Sequence, residues 1–208
     1  MNEIIFKRNE LLAQSMIKEL SNRNMEAFYV KNKKEALDKV LELIPNNSSV
    51  TMGGCQSAID IGLVDVLKTD RYNFIDRDKL DRREALLKGY DADYFISSAN
   101  AISEDGIIVN IDGNSNRVSY ICQGPKHVIF IIGMNKVAKD LDSAMKRARN
   151  IAAPINAQRF DVNTPCKQTG KCFNCKSMDT ICCQFLITRF SRHKDRIKVI
   201  LVNDNLGF

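Results

Sequence analysis

The run HVIFIIG, His127 to Gly133, is apolar almost from end to end. It is far shorter than the roughly 18 residues a membrane-spanning helix needs. A strand that is apolar on both sides must be covered on both faces, as happens in a parallel sheet layered between helices. The rest of the chain is patterned to build such a sheet. Strand-like segments are expected at 25–30, 48–54, 72–76, 93–99, 107–111, 184–190 and 197–202. Helical spacing is expected from Asn2 to Leu20, with Leu12, Met16 and Leu20 on one stripe, and at 33–44, 58–67 and 79–88, with Gly89 as a C-cap. A further helix is expected at 137–150, with Leu141, Ala144, Met145 and Ala148 inward and Pro154 marking its end or a kink. The alternation predicts an α/β fold: an open, mostly parallel sheet with helices on both faces. Between Gly106 and Cys122 no helical pattern separates the apolar runs, and RVSYIC (117–122) reads as another strand, so an antiparallel excursion is expected there.

With 208 residues, one domain spanning 1–208 is expected, carrying a cysteine-rich loop over 164–183. The N-terminal segment has no continuous apolar core of the signal-peptide type, which predicts a cytoplasmic protein without membrane insertion. The net charge of +6 is spread among acids and predicts no nucleic-acid partner.

Seven cysteines without a secretion signal argue against a disulfide framework. Five of them fall in TPCKQTGKCFNCKSMDTICC. Cys166, Cys172, Cys175 and Cys182 follow the spacing C-x5-C-x2-C-x6-C, and four thiolates this close in sequence can surround one metal centre. Zinc sites often pair two C-x2-C knuckles, and this loop has one. The reading therefore leans to a [4Fe–4S] cluster, with zinc as the alternative and incidental buried cysteines as the plain reading. Adjacent residues of an extended segment face opposite ways, so only one of Cys182 and Cys183 faces the site while the other faces the core. Cys183 is the reserve ligand.

Two further segments carry polar chemistry. TMGGCQSAIDIGL (51–63) reads as a strand, a Gly53-Gly54 turn and a helix start, which suits phosphate or carboxylate. A tight turn needing glycine is the plain alternative. Cys55 at the helix start is either an activated thiol or a small buried one. SSANAISEDGIIVNIDGNSNRVS (97–119) places Asn100 just past a strand end, where ligands of open α/β sheets gather. Glu104, Asn110, Asp112 and Arg117 follow closely. The expectation is that these residues, with Gly53, Gly54 and Cys55, bind a small anionic ligand. A solvated hairpin is the bland reading.

At these motifs the chain resembles the lactate-utilisation (LUD) domain family, related to a subunit of a three-component L-lactate oxidation system. The resemblance rests on GGCQSAIDIGL, ADYFISSANAISEDGIIVNIDGNSNRV, GPKHVIFIIGMNKVAKDLDSAMKRARNIAAPINAQR, the cysteine segment and the tail VILVNDNLGF. Cys55 stands where the family usually has Ser, and Asp60 where it has Glu. The resemblance implies a fold similar to ribose-5-phosphate isomerase and CoA transferases, with the Gly-Gly turn lining a phosphate or sugar-phosphate pocket. SSANAISEDGIIVN also looks like the segment that carries a catalytic Asp in methylthioribose-phosphate isomerases. Asn100 at the matching position cannot shuttle a proton, so isomerase chemistry is not expected. The function implied is an accessory redox protein of lactate or related 2-hydroxy-acid utilisation, either non-catalytic or a redox subunit of an oxidoreductase system, with iron–sulfur or flavin proteins as partners. The alternative is an enzyme or sensor for phosphate, CoA or sugar-phosphate ligands, braced by a structural zinc.

Overall fold

A computed structural model describes residues 3–208. Asn2, the first residue of the expected N-terminal helix, lies outside the described residues. In chain order the elements begin with α1 (Glu3–Asn22), β1 (Glu26–Val30), α2 (Lys33–Leu43), β2 (Ser49–Met52), α3 (Gln56–Asp60) and α4 (Leu63–Leu67). They continue with β3 (Asn73–Ile75), α5 (Arg82–Tyr90), β4 (Tyr94–Ser97), β5 (Ala101–Ser103), β6 (Ile108–Asp112), α6 (Asn116–Cys122) and β7 (His127–Gly133). The chain closes with β8 (Val137–Ala138), α7 (Leu141–Arg147), α8 (Ala153–Ala157), α9 (Pro165–Thr169), β9 (Gln184–Thr188) and β10 (Ile197–Val202).

Six strands form one parallel sheet in the order β1-β10-β7-β4-β2-β3. Its central strands are apolar on both sides because both sides are covered. Ile96, Ile129, Ile131 and Ile200 face a cluster that includes Ala36 and Val40 of α2, Ala58 of α3 and Leu63 and Leu67 of α4. The alternate residues Phe95, Val128, Phe130, Val199 and Leu201 face Ala13, Met16 and Leu20 of α1 and Tyr120 and Ile121 of α6. A second, mixed sheet of order β8-β5-β6-β9 lies over this face. Ile102 and Ile108 point into the α1 cluster, whereas Ala101, Val109 and Ile111 pack on Ala144 and Ala148.

The structure departs from the sequence pattern in four places. The segment expected to be one helix over 58–67 is two, because Gly62 adopts a left-handed conformation (φ 76°) between α3 and α4. Gly89 lies inside α5 rather than beyond it, where its missing side chain leaves room for Tyr120. RVSYIC is the helix α6, not a strand. Asp112 accepts the N–H groups of Arg117 (2.9 Å) and Val118 (3.2 Å), satisfying the first turn, and Val118, Tyr120 and Ile121 are buried on its inner side. The excursion is therefore antiparallel only where β6 meets β5 and β9. The helix expected over 137–150 starts later, at the cap Asp140, whose side chain accepts the Ser143 N–H (2.8 Å). It runs on past Pro154 through a π segment, Ala148–Ala152. A wider π turn accommodates a proline that has no N–H to give to the preceding turn.

Candidate functional site

The parallel strands β2, β4 and β7 end on one edge of the sheet, and the segments that leave them converge. Gly53, Gly54 and Cys55 follow β2, Ser98 to Asn100 follow β4, and a 3-10 turn, Met134–Lys136, follows β7. Gly53 to Cys55, Ser98 to Asn100 and, from the 3-10 turn, Lys136 line a cleft of about 560 Å³. The turn from β6 into α6 adds Asp112, Asn114, Asn116 and Arg117. This is where open α/β sheets gather ligands, because helix starts and loop N–H groups face outward there.

Each expected residue has a definite place. Gly53 must lack a side chain: a Cβ there would lie 2.7 Å from Arg117 Cγ, so the arginine stem lies directly on the turn. Arg117 is held by Asp112, at 3.5 Å from Nε to Oδ2, and donates to the Ile111 carbonyl. Asn100 accepts the Ile111 N–H on its side-chain oxygen (2.9 Å), and its amide N–H₂ group has no partner among the described residues. Cys55 is buried, and burial pushes its thiol up, outweighing the N–H groups and cations nearby. This burial supports the reading of Cys55 as a small buried thiol over an activated one. Glu104 and Asn110 are not part of the cleft wall. Glu104 pairs with Lys139 at 2.7 Å. Asn110 is fully buried under the loop and donates to the Ser98 carbonyl (2.9 Å), while its side-chain oxygen has no partner among the described residues.

The sequence reading missed Lys136. This lysine is only 3% exposed. Its Nζ donates to Ser98 Oγ (3.0 Å) and Ser57 Oγ (3.2 Å). Burial pushes it down to about 8, and the nearby Cys55 and Asp60 only partly offset this. A lysine in the turn after the most apolar strand was the available signal.

The cysteine loop forms a second, smaller site beside the first. Cys166, Cys172, Cys175 and Cys182 line one cavity of about 50 Å³, together with Phe173, Phe185 and Arg149. No histidine or carboxylate lines it. Cys182 is the cysteine of the adjacent pair that faces this cavity. Cys183 does not face the core, as one of the pair was expected to do. It is exposed, and its N–H is bound to the Asp112 carbonyl (2.9 Å). Burial and then the thiols of Cys166, Cys172, Cys175 and Cys183 push Cys182 up to about 11. Cys55 and Cys122 lie elsewhere, and all seven cysteines are unbridged. Among the described residues, no three His, Cys, Asp or Glu side chains gather closely enough to hold a single metal ion. Thr180 and Ile181 line both cavities, so the segment between Cys175 and Cys182 is the wall they share. The wall is tight: a Cβ on Gly113 would lie 3.2 Å from the Ile181 backbone.

No helix among the described residues is long and apolar enough to cross a membrane. Among solved structures, the fold is similar to that of a DUF162 family protein from Deinococcus radiodurans, with a TM-score of 0.55 and 9% identity over 94% of this chain and 98% of that one. Comparison with curated proteins gives no match. The family model of the LUD domain matches residues 13–202, which include every strand of both sheets and the cysteine loop. The chain belongs to the LUD domain family.

Proposed function

We propose that this LUD-domain protein is an accessory redox protein of lactate or related 2-hydroxy-acid utilisation, with a [4Fe–4S] cluster on Cys166, Cys172, Cys175 and Cys182. The observation that carries the reading is the shared cavity of these four thiols, from which Cys55, Cys122 and Cys183 are absent. The donor set suits the group: four thiols with no carboxylate or imidazole beside them among the described residues are soft ligands of the kind iron–sulfur clusters use. Arg149 on the cavity wall offsets the negative charge that four thiolates bring. When bound, the cluster supplies one-electron transfer. Phe173 and Phe185, which line the cavity, remain 60% and 43% exposed, giving iron–sulfur or flavin redox partners an apolar surface to meet. The cleft beside the cluster takes a small anionic ligand.

A second reading, a small-molecule enzyme or sensor with a structural zinc, draws support from the size and polarity of the cleft. One experiment separates the two. After anaerobic purification, iron and acid-labile sulfide in equal amounts, with visible absorbance that is lost in Cys175→Ser and kept in Cys122→Ser, is the expected result. Stoichiometric zinc without sulfide would replace the first reading with the second. Full metal retention in Cys175→Ser would remove the loop as the site.

A further inference from the structure

Lys136 presents a charge that the folded chain does not balance. It is 3% exposed, and both of its hydrogen bonds go to hydroxyl groups, Ser98 Oγ at 3.0 Å and Ser57 Oγ at 3.2 Å. Among the described residues, no carboxylate lies within ion-pair reach of it. An ammonium removed from water is costly unless an anion or a full set of acceptors replaces the lost hydration.

The charged and titratable groups around it are committed elsewhere. Asp60, on α3, has one oxygen on Gln56 Nε2 (2.9 Å) and the other on the Gly207 N–H (2.7 Å). Cys55, at the start of α3, is a buried thiol whose ionisation burial disfavours. Arg117, on α6, is tied to Asp112. Arg147, on α7, donates to the carbonyl oxygens of Asn135 and Asn100 and to Phe208 O (3.5 Å), and adds positive charge, not relief. The hydroxyls are also ordered. Ser98 Oγ donates to the Ile131 carbonyl (2.7 Å), and Ser57 Oγ donates to Ser98 Oγ (3.1 Å). Each therefore meets the lysine as an acceptor, and the ammonium keeps a third N–H that neither takes.

We propose that Lys136 is the anchor of a small oxyanion, a carboxylate or phosphate group bound in the cleft, which supplies the counter-charge the fold leaves out. This rests on the reading of the cleft as an anion site and names the residue and ligand chemistry that define it. Lys136 lines the cleft together with the Gly53-Gly54 turn, Asn100, whose amide N–H₂ has no partner among the described residues, and Arg117. The occupant is small on the tail side, where a Cβ on Gly207 would lie 3.1 Å from Lys136 Nζ. The depressed basicity of the amine, about 8, makes binding pH-sensitive. Below that value the amine is charged and holds the anion; above it, the amine is neutral and the anion is released.

The test uses the full chain with inorganic phosphate and with L-lactate as separate arms, against chloride at equal ionic strength. Thermal unfolding and equilibrium binding are read for the wild type and for Lys136→Met. For the wild type at about pH 7, at least one arm is expected to raise the melting temperature. Which arm does so decides between phosphate and carboxylate. Its affinity is expected to fall roughly tenfold by about pH 9, as the charged fraction of the amine falls by that factor. Lys136→Met removes a lone buried charge and leaves the Ser57–Ser98–Ile131 chain of hydrogen bonds intact. The anion-free variant is therefore expected to melt roughly 2–4 °C higher than wild type and to lose the anion-dependent shift. An anion shift of equal size in Lys136→Met would overturn the assignment to Lys136 while leaving the cleft as an anion site. No shift with either anion in the wild type would overturn both. The pH series on the wild type stands as a test even if the variant folds poorly, because a flat profile from about pH 7 to about pH 9 contradicts a lysine anchor.

Discussion

The cleft and the cysteine loop share a wall but are built in different ways. The cleft is held by burial. Its floor is the end of β2, β4 and β7, strands whose side chains are packed on both faces, and its rim is tied down by Asp112, Asn100 and Arg147. From Pro165 to Cys183, by contrast, no residue is buried, and α9 buries nothing at all. Apolar contact positions the groups of the first site before any ligand arrives. The second has four thiols and little apolar surface to hold them in place. In such a segment, ligation of the proposed cluster would contribute the ordering that packing provides elsewhere.

The largest expected effect tests this contrast directly. Removing metal from protein purified with its cluster should raise proteolytic cleavage within 164–183 roughly tenfold or more, while amide exchange in β7 and β10 stays unchanged. Equal cleavage of the metal-loaded and stripped forms would mean that the loop is ordered without ligation. Next in size is a pair of truncations read by denaturant unfolding. Phe130→Ala, at a fully buried position of β7, should cost about 3–5 kcal/mol. Phe173→Ala in the loop should change stability by about 0.5 kcal/mol or less. Similar costs for the two would dissolve the distinction between a packed region and an unpacked one.

The smallest effect lies at the opposite end of β4 from the cleft. Asp93 is held down at about 2, first by its hydrogen bond to Lys126 and then by the N–H and hydroxyl of Ser49. A carboxyl lowered by folding contributes stability that is present above its ordinary value of 3.8 and is lost as the pH falls toward 2. Asp93→Asn should therefore cost about 1 kcal/mol at neutral pH, allowing for solvent screening, and nothing near pH 2. A cost that persists unchanged in acid would assign the effect to geometry instead of charge. At this edge the charge is paired within the protein, and at the other edge Lys136 has no charged partner among the described residues, so the pH responses of the two ends of the sheet differ in direction and range.

Much of the architecture could be read from local pattern. The strands at 25–30, 93–99, 127–133 and 197–202 follow from apolar runs with β-branched residues, and α1 and α2 from their apolar stripes. The misread segments are those where distant contacts outweighed local preference. RVSYIC has strand-like composition, yet the Asp112 carboxylate caps it as a helix, and its inward residues Val118 and Ile121 already stand at helical spacing. Residues 137–138 join the second sheet beside β5, a pairing that no pattern within 137–150 encodes. The grouping of Cys166, Cys172, Cys175 and Cys182 around one cavity follows from their closeness in sequence, which is a local property. Which of Cys182 and Cys183 the loop turns to the cavity is decided by the fold: Cys182 lines it and Cys183 is exposed.

The amino-acid sequence by itself determined the α/β class, the parallel sheet covered on both faces, the family and the four clustered thiols, because each of these is written in spacings of a few residues. Only the tertiary structure decided the strand order, the union of the Gly53-Gly54 turn with Asn100 and Arg117 in one cleft, and the setting of Lys136. That lysine meets Ser98, 38 residues away, and Ser57, 79 residues away. Its charge is notable for what does not lie beside it, and a missing partner is a property of the whole packed molecule: every carboxylate in the chain must be placed before one amine can be said to lack a counter-ion.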